Sequence, residues 1–319
     1  MRKNVTGGGA LQLLERSLEL DPGFAPAWQA FALAHYGLAS SCGEDATHYE
    51  KALNGIRRAV KLHPDMPSAM ALEATVLAES GRIEEAYESL IRRKRDGAVA
   101  CDIDYAASTV LSYAGYLDPA RRKLDSVLRA DPQYLAIGGW TPSIHLYESE
   151  PDRFLRYLPA AETASFRYYR GYAQLLQGKI PAARESLGPA FRLNPHDVFA
   201  RLSAALLDTV EGRPVEALEV LRGLERQRRA VGSTDGALTY KLAQLYERAG
   251  DSDSALESLG RAVDQGFFCT PCFAGDPLWN SVRSKAKFTD AFRRAESRHR
   301  AFGKRFGFLA SSGSGQGAQ

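Results

Sequence analysis

The chain of 319 residues carries 41 Lys and Arg against 38 Asp and Glu, a net charge of +3. That balance excludes a bulk polyelectrolyte that would coat nucleic acid or an anionic membrane. With 45% apolar and 25% charged residues it can bury a core, and its 47 Ala and 37 Leu against 7 Ile and 13 Val favour helix over sheet.

At the N-terminus Arg2 and Lys3 are followed by Gly7-Gly8-Gly9 rather than by an apolar run. The start does not read as a signal peptide, and residues 1–9 are expected to be flexible. The first predicted helix covers residues 11–20. The longest stretch without Asp, Glu, Lys or Arg, residues 22–43, contains Pro26, His35 and Gly37 and makes a poor membrane span. Of the four cysteines, Cys42 and Cys101 are isolated, so no disulfide framework is expected and a reducing, cytoplasmic setting follows.

A period of 34 residues then organises the chain. Ala52, Ala86 and Ala120 are spaced by it, as are Ala183 and Ala217, and Ala255 follows after a four-residue insertion. Four positions after each alanine stands Ile56, Leu90, Leu124, Leu187, Leu221 or Leu259. Five positions before it, glycine recurs as Gly81, Gly115, Gly178, Gly212 and Gly250. Pro64, Pro132 and Pro195 fall twelve positions after the alanine, and Ala10, Leu14 and Pro22 repeat that spacing at the start. Alanine lets paired helices approach closely, and its partner one turn on extends the same face. Glycine suits the tight turn between the helices, and proline helps to end the second one.

On these residues, with Trp28, Phe31 and Ala32, Gly171, and Leu242-Ala243 followed by Tyr246, residues 10–266 resemble the tetratricopeptide repeat family. The fold implied is all-α, a right-handed α-α superhelix of six to seven helix pairs. Each pair buries its apolar face on its neighbours, which implies an open stack with an inner trough. Residues 133–166 hold the phase badly, and Thr141-Pro142 and Glu150-Pro151 break helices there, so one repeat is expected to be degenerate and kinked. Residues 38–49 and 225–236 read as lengthened loops. Helix 11–20 matches the second helix of a repeat that lacks its first. It is either a cap or, the preferred reading, a sign of a longer natural polypeptide.

The C-terminal part breaks the pattern with Gly266-Phe267-Phe268 and Asp276-Pro277-Leu278-Trp279. Asp276 can cap a helix opened by Pro277, and Phe288, Phe292, Ala295, Phe302 and Phe306 follow helical spacing. Residues 267–309 are expected to seal the end of the stack, and the Ser- and Gly-rich residues 310–319 to be disordered. The ending also resembles that of repeat regions in bacterial signalling proteins, where the repeats follow a protein kinase or a winged-helix DNA-binding domain. Neither effector domain is found in the sequence.

In the resembled family the first helix of each pair lines the concave groove. Carried over, this gives Tyr36, Tyr105, Thr109 and Tyr113 from the N-terminal half as partner-binding candidates. Tyr168, Tyr172, Tyr240 and Gln244 follow from the C-terminal half. A row of tyrosines could stack on or hydrogen-bond to an extended peptide, or simply pack between adjacent helices. The Lys, Asn and Arg clamp that some relatives use for a terminal carboxylate is missing. The function implied is non-catalytic: a scaffold that binds a peptide or helix, serving as a regulatory module of a bacterial signalling or transcription-control protein. The alternative is a regulatory fragment whose basic C-terminal helix contacts nucleic acid. Residues 283–305 carry nine Lys and Arg against Asp290 and Glu296. Cys269-Thr270-Pro271-Cys272 lacks a second ligand pair for zinc and the α/β setting of a redox motif, so it reads as buried packing beside Phe268 and Phe273. The six histidines are scattered. Neither metal nor cofactor is expected.

Overall fold

The computed structural model describes residues 7–40, 45, 47–93, 101–138 and 141–308. Cys42 and the expected tail at 310–319 lie outside them. Among the described residues there is no strand. The chain starts with α1 (Gly7–Leu20), so the helix begins within the glycines that were expected to be flexible. Three antiparallel pairs follow: α2 (Ala25–Ser40) with α3 (Thr47–Leu62), α4 (Pro67–Glu79) with α5 (Ile83–Arg93), and α6 (Cys101–Tyr113) with α7 (Leu117–Ala130). The degenerate region is three short helices, α8 (Tyr134–Gly138), α9 (Ile144–Tyr147) and α10 (Pro151–Tyr157). Pro142 and Pro151 stand where a helix must stop or restart.

Regular pairing resumes with α11 (Ala164–Leu176) against α12 (Ile180–Leu187) and α13 (Ala190–Leu193), then α14 (Val198–Val210) with α15 (Pro214–Ala230), and α16 (Gly236–Arg248) with α17 (Ser252–Asp264). The chain closes with α18 (Thr270–Gly275), a 3₁₀ turn at Pro277–Trp279 and the long α19 (Ala286–Phe306). This is the right-handed α-α superhelix that the repeat implies. Two loop expectations change. Residues 225–230 are the last turns of α15, and only 231–235 connect it to α16; residues 38–40 likewise belong to α2.

The pairs form for local reasons. On α3, Ala52, Leu53, Ile56 and Ala59 are buried while Glu50, Lys51, Arg57 and Arg58 face out, the stripe of a helix with one buried face. Asp197, Asp235 and Asp251 accept backbone N–H bonds at the starts of α14, α16 and α17. Asp276 caps the 3₁₀ turn by accepting from Leu278 N. The recurrent glycines all adopt left-handed backbone. At Gly115 (φ +82°) a Cβ would also lie 3.0 Å from His299 Nδ1, so the turn needs both the conformation and the space.

The stack is not open. After α15 it comes round until its last elements meet its early ones. Thr234 Oγ1 donates to Glu79 O at 3.3 Å, and Phe268 N donates to Tyr113 O at 2.9 Å. A Cβ on Gly266 would lie 2.9 Å from Gly81 Cα. The ring of Tyr116 stacks on His299 at 4.3 Å and its hydroxyl donates to His299 O. Tyr87 packs against Phe302, Phe306 and Phe308. The trough is thereby drawn in to a cleft, because the apolar ends of the cap find the turns of α4–α7 more favourable than water.

Candidate functional site: the inner cleft

The first helices α4, α6, α11 and α16, with residues 141–147, surround a cleft of about 270 Å³. Its walls are mostly hydroxyl-bearing: Tyr36, Thr75, Tyr105, Ser108, Thr109, Ser112, Tyr113, Ser143, Tyr147, Ser165 and Tyr169. Charge enters through Glu79, Asp235 and Lys241. A smaller pocket of about 30 Å³ adjoins it, shares Ser143, Tyr147, Tyr169 and Lys241, and is bounded by Tyr168, Tyr172, Tyr240 and Gln244.

All eight residues that the repeat pattern picks out therefore line one of two adjoining spaces. Tyr36, Tyr105, Thr109 and Tyr113 line the larger, the other four the smaller. They do not stand on an exposed trough. Tyr168, Tyr240, Tyr172, Tyr113 and Gln244 are all buried. Tyr240 stacks on Phe267 at 4.8 Å and receives the Trp279 Nε1–H at 3.3 Å. Gln244 donates to Asp276 Oδ2 at 2.8 Å, and the Arg248 guanidinium lies 5.5 Å from the centre of the Tyr172 ring. Tyr240 and Gln244 thus tie repeat to cap, Tyr168 and Tyr172 pack among the repeats, and all four bound the small pocket.

The strongest electrostatic feature was not among the sequence candidates. Glu79, the last residue of α4, accepts from Tyr36 Oη at 2.9 Å and from Tyr49 Oη at 3.2 Å. Burial, reinforced by Asp235, pushes its pKa up to about 8, although the two hydroxyls favour the charged form. Burial likewise raises the phenols of Tyr36, Tyr49 and Tyr113, with Glu79 and Asp235 adding to it. Asp235 arrives from the far end of the chain as the cap of α16, where it accepts from Leu238 N. Arg228 is buried behind it and donates to its carbonyl and to Thr239 Oγ1. Lys241 lies 5.5 Å from the centre of the Tyr169 ring. No pattern in the sequence could join Glu79 to Asp235, because 156 positions separate them and only closure of the superhelix brings them together. The cleft lining, among the described residues, contains neither histidine nor cysteine. It offers hydrogen bonds and aromatic faces.

Two further features bear on the expectations. Cys269 and Cys272 are buried, as the flanking aromatics imply, but they are joined in a disulfide, which corrects the reading of them as packing thiols. Four of the seven basic residues of α19 are met by acids from other elements: Arg294 by Asp264, Lys287 by Glu257 at 3.0 Å, Arg298 by Glu84 at 3.9 Å and Arg305 by Glu88 at 2.5 Å. Their charge is largely matched by α5 and α17.

Residues 44–98 match the tetratricopeptide repeat family profile. No curated protein matches the chain. Among solved structures, the APC/C hetero-tetramer Cut9–Hcn1 is similar with a TM-score of 0.59 and 14% identity. The match covers 92% of this chain and 58% of that one, so this chain spans little more than half of its length. A human IFIT1 dimer with m7Gppp-AAAA gives 0.40 at 16% identity, over 96% of this chain and 68% of that one. Yeast Tom70 gives 0.38 at 13% identity, over 92% and 59%. The fold is that of a tetratricopeptide-type α-solenoid. No helix of the described residues is long and apolar enough to cross a membrane.

Proposed function

We propose that the chain is a non-catalytic interaction scaffold whose inner cleft receives a short extended segment of a partner protein. The observation that carries this is the convergence of all eight candidate positions, from separate repeats, on two adjoining spaces lined by hydroxyls and aromatic faces. The lining argues for an extended segment over a helix: a helix satisfies its own backbone groups, whereas an extended segment leaves them free to bond the hydroxyls of the cleft. Tyrosine faces and hydroxyls suit peptide groups and flat or polar side chains. The resemblance of the C-terminal segment supports a setting as a regulatory module of a bacterial signalling or transcription-control protein. The matched charges on α19 support packing as that helix's task over contact with nucleic acid.

The test selects extended peptides from a random display library on the immobilised full chain and measures them by fluorescence anisotropy. Thr75→Phe and Thr109→Phe fill the cleft; each hydroxyl bonds a carbonyl of its own helix, one turn back, so the fold should persist. Both variants are expected to weaken selected peptides at least about tenfold while keeping Tm within a few degrees. Equal affinity in wild type and both variants would refute the assignment of the cleft. Tyr168→Ala is unsuited to this purpose, since truncating so buried a ring would lower stability by about 3–5 kcal/mol.

A further inference from the structure

We propose that His145, Glu148 and Glu150, at the turn between α9 and α10, form a site for a zinc-type divalent ion that fastens the degenerate repeat. His145 is 0% exposed, and neither of its ring nitrogens has a hydrogen-bond partner. Leaving a buried polar group unsatisfied is costly, and an imidazole without a bond on either side lacks the contact that would fix its tautomer. Glu148 Oε2 is buried and unpartnered as well.

Two of these atoms, His145 Nδ1 and Glu148 Oε2, face one another. His145 Nδ1 lies 3.7 Å from Glu148 Oε2 and 3.8 Å from Glu150 Oε2. Ligand atoms of all three residues fall within 4.8 Å of each other. That is too far for hydrogen bonds and close to the separation imposed by a shared ion. Two ligands each about 2.1 Å from a tetrahedral zinc stand about 3.4 Å apart. The backbone arranges this locally, since Glu150 N donates to His145 O at 2.7 Å and Ser149 takes a left-handed φ of 59°.

The neighbouring charges leave room for a dication. Arg121 donates to Glu148 Oε1 at 3.2 Å and to Asp118 Oδ1 at 2.5 Å. Arg153 donates to Glu150 Oε2 at 3.4 Å and to Asp125 Oδ1 at 2.8 Å. The two arginines are balanced by the two aspartates, which leaves the carboxylates of Glu148 and Glu150 beside the imidazole. Their bonds to the glutamates act as the outer support that metal-ligating carboxylates generally have. One imidazole with two carboxylates favours zinc-type ions over magnesium or calcium, which prefer all-oxygen sets. The half-exposed side of Glu150 gives the ion an entry path and water its fourth position. The other end of α9 carries Ser143 and Ile144 into the cleft wall, so the ion would stiffen that wall without entering the cleft.

The test uses the full chain, stripped with chelator and titrated with zinc chloride by calorimetry, with cobalt(II) absorption as the coordination readout. One zinc per chain is expected, with tetrahedral cobalt bands. A rise in Tm of about 5 °C is expected at zinc concentrations near 100 times Kd. Glu150→Gln, on the exposed side where folding is safe, should weaken binding at least about tenfold and abolish the Tm shift. Glu148→Gln should do the same. No zinc uptake would overturn the proposal. So would unchanged affinity in both variants with loss in His48→Ala, because His35 and His48, whose Nδ1 atoms lie 2.7 Å apart, would then be the site. Peptide binding in the cleft is unaffected by either result.

Discussion

Glu79 ends α4 with its carboxylate between two phenol hydroxyls, and its raised pKa of about 8 links stability to pH. An unfolded chain releases this proton near pH 4.3, whereas the folded one keeps it to about pH 8. Between those values the folded state binds more protons, so stability falls as pH rises, by at most about 1.4 kcal/mol per unit. Glu79→Gln imitates the protonated form and removes the titration. Urea denaturation from pH 5 to 8 should show a flatter profile for the variant, and near pH 8 the variant should be the more stable. A wild-type profile rising through that range would contradict the assignment. Residues of this kind were not legible in the sequence. The tyrosines were found because they recur with the repeat, whereas Glu79 and Asp235 occur once each and acquire their chemistry from burial against one another. His145 escaped for a related reason, since its partners are carboxylates at a turn and not a second histidine or cysteine at helical spacing.

At the scale of elements, the alanine seams and the cap carry separate predictions. Ala86 and Ala120 are 0% exposed at the crossing points of their helix pairs. Ala120→Leu should cost about 1–3 kcal/mol through overpacking, measured as a lower urea midpoint with unchanged helical content. Phe302, also 0% exposed, sits among Tyr87, Tyr116, Phe268, Phe306 and Phe308. Phe302→Ala should cost about 3–5 kcal/mol and release the end of α19 from α5 and α7. Amide exchange at Phe268, whose N–H bonds Tyr113 O, should then accelerate well before global unfolding. The helix pairs themselves were legible because 34-residue spacing, turn glycines and terminating prolines all act within one hairpin. The breaks at Pro142 and Pro151 were legible for the same reason. The extent of α15 was not: residues 225–230 match no repeat position, yet they stay helical because Arg228 is buried against α16.

Across the whole molecule, closure turns a row of repeats into a body with an interior. A compact chain of this length has a radius of gyration of about 20 Å. Small-angle scattering should give a value within a few Å of that, and Phe302→Ala a larger one; a markedly elongated wild type would contradict closure. The order of the helices, their pairing and the inward direction of the tyrosines were determined by the sequence alone, because periodicity of 3.6 within a helix and 34 between hairpins fixes which faces must be buried. How far the superhelix winds was decided only by the tertiary structure. Pitch is the sum of small rotations between neighbours, and whether the cap reaches Gly81 and Tyr113 depends on that sum and on no single repeat. The same winding decided that the tyrosines meet each other and Glu79 across a narrow cleft instead of facing water along a trough.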